Sequence, residues 1–402
     1  MGSTCIYCQG EGAFTDEHVF PAGLGGDDGR YMLKGLVCQA CNTGVFSKLE
    51  LAVARRGPEA FARLFLQPEG RGTGKKASIP SLQTEVASFT DPDTKFVLEA
   101  ELLAGGQPVL LPQVVFSGQT LSVTGSSSNE IEALFESLKV VLTDELHVIK
   151  KTGQGSAAAF HVEHYRWLDN GYTLEHSEVC RKPPDRGIWR EDLRIPNPAE
   201  PGARYVARLF RRRQGQLVLR VLPDIGIRDH VSVLRHERER LTNMPHPSAV
   251  SVEKPSMHIG LSVDADAIPR VIAKIGINLV CHEHGESYVR LPAFDAVKHA
   301  ILKGGQPIRY GLVSHNDPVQ QLFAQASTNL HFVMIVGSAG LDGQVLVAAF
   351  MRFYGGPVYT VKLAEGDLPE RLPVLFTVDY QRHLIERYDV QDWAKKTYVS
   401  QG

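Results

Sequence analysis

Two cysteine pairs and one acid–histidine pair carry the chemistry that can be read in this chain. Cys5 and Cys8 form one CxxC turn, Cys38 and Cys41 form a second, and 29 residues separate Cys8 from Cys38. Each turn lets two thiolates reach one ion from a tight loop, and the intervening chain returns to the same ion. That is ligand spacing for a tetrahedral structural zinc. Four unrelated free thiols or two disulfides are the other uses of such cysteines. Disulfides suit an oxidising compartment, and the chain opens Met1-Gly2-Ser3-Thr4-Cys5 without an apolar signal region. The expectation is therefore a cytoplasmic, zinc-binding unit. A piece of about forty residues has little core of its own, and metal binding can contribute on the order of 10 kcal/mol to its folding. Cys180 and Cys281 stand alone and read as buried thiols.

Inside the cysteine frame lie Glu17-His18, and Asn42 directly follows Cys41. An imidazole with an ordinary pKa of about 6.5 can take a proton from water at neutral pH. A carboxylate and an amide oxygen can hold one hard cation, with waters and phosphate oxygens completing an octahedron, which favours magnesium or manganese over a second zinc. Asp16 competes with Glu17 for the ligand role. In an extended strand, neighbouring side chains point to opposite faces, so Asp16 and His18 share a face and Glu17 does not. Asn42 is also a natural helix N-cap, because Val45, Leu49 and Val53 follow at helical spacing.

The residues Cys5-Ile6-Tyr7-Cys8, Thr15-Asp16-Glu17-His18-Val19-Phe20-Pro21, Leu24-Gly25-Gly26 and Val37-Cys38-Gln39-Ala40-Cys41-Asn42 together resemble the HNH endonucleases, closest to the zinc-stapled subgroup with an acid–histidine–x–x–proline signature. The resemblance covers roughly residues 5–55. It implies a ββα-metal fold in which His18 is the general base and Glu17 and Asn42 hold the catalytic metal. The chain departs from the family pattern in two places. Glutamate stands where an aspartate or histidine is usual, and Leu33 and Lys34 occupy the place of the middle asparagine, which leaves open what orients the His18 ring.

Cations are candidates for phosphate contact. Lys48, Arg55 and Arg56 lie on the helix expected after Asn42, where the arginines also suit the helix dipole. Glu50, on the same helix, can add a carboxylate or face solvent. The segment 204–240 holds ten arginines against four acids, with Arg211, Arg212 and Arg213 consecutive at an expected hairpin tip near Gln214-Gly215. These arginines either contact nucleic-acid phosphates, hold a charged signal molecule, or keep an edge strand soluble. His161-Val162-Glu163-His164 and Cys281-His282-Glu283-His284 lack the spacing of a shared metal site.

The remaining chain reads as mixed α+β. At 402 residues it should form two or three domains. We expect a nuclease unit over residues 1–66, a linker over 67–80, an α+β region over 81–200 and a recognition or regulatory α+β domain over 201–402. The linker imitates a P-loop but lacks its spacing, since Glu69 and Ala77 replace the glycine and the hydroxyl residue. A proline-rich stretch from Lys182 to Gly202 is a second boundary or a long crossing segment. Between these, residues 95–125 and 157–167 read as strands and 129–146 as a helix. Further on, 204–222 reads as a hairpin, 231–241, 268–280 and 294–302 as helices, 257–263 as a strand, and 329–363 as two or three strands with a turn at Leu341-Asp342-Gly343.

Apolar content of 43% and charged content of 22% are those of a soluble globular chain, and the formal net charge of −2 argues against a broad basic surface. No apolar run is long enough for a membrane span. The expected function is metal-dependent hydrolysis of phosphodiester bonds in nucleic acid, with DNA favoured and Zn2+ plus Mg2+ or Mn2+ as cofactors. One site per chain nicks one strand, so cutting both needs a homodimer or two encounters. The layout resembles, by architecture alone, nuclease effectors of prokaryotic defence systems that answer to a small-molecule or protein regulator. The alternatives are an inactive zinc-binding, nucleic-acid-binding module and a ligand-sensing protein.

Overall fold

The computed structural model describes residues 4–67, 82, 86–103, 106–118, 120–153, 159–197, 199–243, 256–261, 263–305, 307–324, 326–340 and 343–393. The linker expected over 67–80 lies outside these apart from Gln67. So do the first two residues of the strand expected from Ala157, and Leu341-Asp342 of the expected turn. The chain divides into two compact units, one made of residues 1–84, 104–106 and 261–402, the other of 85–103 and 107–260. The architecture is mixed α+β, as the sequence pattern implies.

The first unit joins both ends of the chain. Strands Phe14–His18 and Met32–Cys38 pair antiparallel, with a register irregularity between Thr15 and Glu17. The chain then enters a helical segment at Gln39–Cys41, loosens into a π-turn over Asn42–Phe46, and continues as helix Ser47–Arg56. Gly57 breaks it, and Pro58 opens the next helix, Pro58–Leu66, at a position where the missing N–H costs nothing. Cys38, not Asn42, precedes the first helical residue, so Asn42 lies within the helical segment and not at its cap.

Residues 261–402 contribute helix Ala267–His284 and a six-stranded antiparallel sheet. Leu330–Ala339 is central in that sheet, between Val345–Arg352 and Arg371–Asp379. Its alternation sends Val333 and Ile335 to one core and Phe332 and Met334 to another that includes Phe323 and Trp393. Helix Ala267–His284 is apolar nearly all round, as a helix covered on several sides must be. It shares one core with Cys5, Tyr7, Phe20 and Phe46 from the N-terminus and Val333, Ile335 and Phe376 from the sheet. The segment that carries the four cysteines is therefore not a free-standing forty-residue piece. Its apolar face is completed by the far end of the chain, and the expected boundary after residue 66 does not isolate it.

The second unit holds an eight-stranded mixed sheet and a four-stranded antiparallel one. In the larger sheet, Ile188–Asp192 runs parallel to both Glu145–Thr152 and Leu217–Val221. The proline-rich stretch is thus a crossing segment with a strand inside it, and the boundary expected at 200 falls within one unit. Helices Ser128–Val141 and Arg228–Asn243 cover one face of this sheet over Val114, Val148, Leu209, Leu217 and Leu219. The first of them starts at an N-cap, Ser127, whose hydroxyl accepts from the Glu130 N–H. It ends at Val141, earlier than the apolar spacing to Leu146 suggests, because Leu146 already belongs to a strand.

Candidate functional site

The four cysteines of the two CxxC turns converge. Cys5 Sγ lies 3.9 Å from Cys41 Sγ and Cys8 Sγ 3.6 Å from Cys38 Sγ, and all four sulfurs fall within 4.8 Å of one another. A tetrahedral zinc with sulfurs at about 2.3 Å spaces them about 3.8 Å apart, so the tetrad fits that ion. None of the six cysteines is in a disulfide. The Sγ–Sγ hydrogen bond between Cys5 and Cys41 pulls the Cys5 thiol below its ordinary range, and Cys41 is pushed up, first by that same bond and then by burial. Four thiolates this close repel one another unless a cation sits among them. Among the described residues this is the single group of three or more Cys, His, Asp or Glu side chains near enough to share an ion.

Glu17 and His18 leave the strand in opposite directions, as an extended backbone requires. Glu17 turns inward, is 3% exposed, and meets Lys274 and Asn278 of helix Ala267–His284. The Lys274 ammonium, 1% exposed, bridges Glu17 and Glu50, with its Glu50 contact at 2.6 Å. Asn278 donates to Glu17 Oε1 at 3.1 Å and to the His18 carbonyl at 3.0 Å, and accepts from the Tyr7 hydroxyl at 2.6 Å. Burial raises the Glu17 pKa despite the opposing pull of Lys274.

This network decides the fit of the divalent ion expected at Glu17 and Asn42. The Glu17 carboxylate is enclosed and already neutralised by an ammonium, so it does not fit as a ligand for a hydrated hard cation. Glu50, which the sequence offers as an added carboxylate, is the second partner of the same ammonium. Asn42 donates its amide to Thr15 Oγ1 at 3.0 Å and to the Asp16 carbonyl at 3.1 Å, tying the helical segment to the strand that carries His18. Asp16 is exposed.

His18 turns outward, with 27% of its side chain accessible, and its Nε2 lies 2.5 Å from Asp28 Oδ1. Asp28 is thus a carboxylate partner that fixes the orientation of the His18 ring. Two glycines set the loop that brings it there. Gly25 has φ +95°, and a Cβ on it would lie 2.4 Å from Tyr380 Cα; one on Gly26 would lie 2.0 Å from the Phe20 carbonyl oxygen. Asp27 closes the turn by accepting from the Gly29 and Arg30 N–H groups at 2.8 and 3.1 Å. His331, fully buried, accepts at Nδ1 from the Tyr354 N–H and binds the Leu24 carbonyl through Nε2 at 3.1 Å, fixing the other end of the loop.

The proposed phosphate contacts divide. Lys48, Arg55 and Arg56 are exposed on helix Ser47–Arg56. At the hairpin, Arg211 donates to Ser137 Oγ at 2.9 Å, Arg212 pairs with Glu191 at 2.6 Å, and Arg213 is exposed at the turn. Two of the three are therefore engaged within their own unit. The histidines also separate. His282 binds the Arg30 carbonyl and stacks on Tyr31, whereas His164 stacks on His176 with ring centroids 4.2 Å apart.

Lys274, Asn278 and Asp28 were not singled out by sequence. The first two had a signal, as polar residues four apart in an otherwise apolar helix. Asp28 had only its place in an acidic, glycine-flanked turn. No helix among the described residues is long and apolar enough to cross a membrane. Comparison with protein-family models, curated proteins and solved structures yields no match for this chain.

Proposed function

We propose that this chain is a nuclease of the HNH type that hydrolyses phosphodiester bonds in nucleic acid, with DNA as the favoured substrate and His18 as the general base. The observation that carries the reading is the accessible His18 ring held by Asp28, on a strand whose neighbours are pinned by the cysteine tetrad. An imidazole backed by a carboxylate keeps a defined orientation and is stabilised when it takes a proton. In the reaction, water gives its proton to the ring and its oxygen bonds to phosphorus, while the bond from phosphorus to the 3′ oxygen breaks with its electron pair on that oxygen, which takes a proton from solvent to become the hydroxyl. On this reading the exposed cations Lys48, Arg55 and Arg56 meet the backbone phosphates. Asp28 and Asn42 act as positioning residues, and Glu17 is structural. The test is nicking of supercoiled plasmid by the purified chain in magnesium, in manganese and in chelator, with a single-stranded RNA of matched length alongside. The two cations report on a divalent ion held by ligands other than Glu17.

A second reading has its own observation. Lys274 occupies the carboxylate that the family resemblance assigns to the catalytic metal. On this reading the module is an inactive zinc scaffold that binds nucleic acid. Binding of plasmid without nicking in either cation would establish it over the first.

A further inference from the structure

The larger sheet of the second unit has two unlike faces. One is aliphatic and covered by helices. On the other, the pairing Arg208↔Arg220 and Glu191↔Arg220 places three charged side chains of adjacent strands on one side, at the floor of a cleft of about 750 Å³. That volume lies in the range of small-molecule sites. Arg208 and Arg220 are 2% and 6% exposed and share the buried carboxylate of Glu99. Arg220 also reaches Glu191, which holds Arg212 at 2.6 Å. Seven lysine and arginine side chains line the cleft against two acids, with Glu99 beneath the floor, which leaves an excess of four positive charges. Trp189 and Phe160 form an aromatic wall, with ring centroids 5.8 Å apart.

Arg208 and Arg220 are held by Glu99 and Glu191, and Lys150 by Asp192, so these cations contribute a positive field from below, while Lys151 and Arg194 are the lining cations exposed to solvent, where a phosphate can meet them. The half-buried indole of Trp189 lines the cleft and offers an aromatic surface for a base. We infer that this cleft binds a free nucleotide, its phosphates met by Lys151 and Arg194 within the net positive field of the cleft and its base against Trp189. The inference is independent of the nuclease reading, because every lining residue belongs to the second unit.

The experiment titrates the full chain with ADP, inorganic pyrophosphate, adenosine and a twelve-base DNA strand, using calorimetry and tryptophan fluorescence. ADP should bind saturably and change the fluorescence, pyrophosphate should compete more weakly, and adenosine should not bind. Lys151→Glu with Arg194→Glu, both at exposed positions, should weaken ADP by about ten-fold or more, since charge-assisted phosphate contacts are lost. Trp189→Phe should remove the fluorescence change and weaken ADP more than pyrophosphate. Circular dichroism and zinc content, unchanged in the variants, separate lost binding from lost folding. Absence of ADP binding at millimolar concentration, affinity indifferent to the charge reversals, or binding of the DNA strand without ADP would each overturn the inference.

Discussion

The ammonium of Lys274 lies between the carboxylates of Glu17 and Glu50, inside the core that joins the two ends of the chain. One buried cation thereby fixes the strand that carries His18, the helix that follows the second cysteine pair, and the long helix Ala267–His284. It also withdraws Glu17 from any role at the surface.

Removing that cation should destabilise the fold strongly. Lys274→Ala leaves two carboxylates facing a buried space, at a cost of about 3–5 kcal/mol. Lys274→Met paired with Glu17→Gln should recover part of it, because the uncompensated charge goes with the cation. Denaturant midpoints of the three proteins check this. Equal midpoints for the parent and Lys274→Ala would mean that the pair does not form.

The cysteine tetrad should hold about one zinc per chain, as metal analysis of the purified protein reads. Cys41→Ser should lose the metal and lower the thermal midpoint, because binding and folding are coupled at such sites. Zinc-free protein with an unchanged midpoint would exclude a structural metal.

Acid should weaken the fold through His331. Burial holds its folded pKa down at about 3, whereas the unfolded value is about 6.5. The folded state keeps the ring neutral, so this contribution is complete above pH 6.5 and is lost as pH falls towards 3. The slope approaches about 1.4 kcal/mol per pH unit over that window. His331→Gln should remove up to one proton from the pH dependence of stability between pH 6.5 and 5. An unchanged dependence would show that His331 is solvated.

The loop glycines offer a separate test of how Asp28 is placed. Gly26→Ala sets a Cβ 2.0 Å from the Phe20 carbonyl oxygen, so the loop must move. Nicking should fall with the zinc content intact. Full activity in Gly26→Ala would show that the contact between Asp28 and His18 is dispensable.

Local chemistry was legible in the sequence, and partners distant in the chain were not. Cysteine spacing is a local property and led directly to the converging sulfurs. Period-2 alternation correctly put Glu17 and His18 on opposite faces, although the family resemblance favoured Glu17 as the ligand. Helical spacing located Ala267–His284 to within a few residues. What lay out of reach was the pairing of residues 17 and 274, because no local pattern encodes which elements share a core. The proline-rich stretch 182–202 looked like a boundary for the same reason: the strand at its centre is recognisable only beside its two parallel neighbours. The cationic cleft also draws its floor from several strands, so the run of arginines in 204–240 suggested a surface patch where part of a site is enclosed.

The most direct measurement is the nicking rate of supercoiled plasmid for the parent chain, His18→Ala and Glu17→Gln, in magnesium and in manganese, at matched zinc content. If His18 is the base and Glu17 is structural, the parent nicks and His18→Ala loses about 10²–10⁴-fold without a fall in stability. Glu17→Gln then keeps its nicking rate at temperatures below its lowered midpoint. A parent chain that fails to nick in either cation, or a His18→Ala variant as active as the parent, would contradict the nuclease assignment.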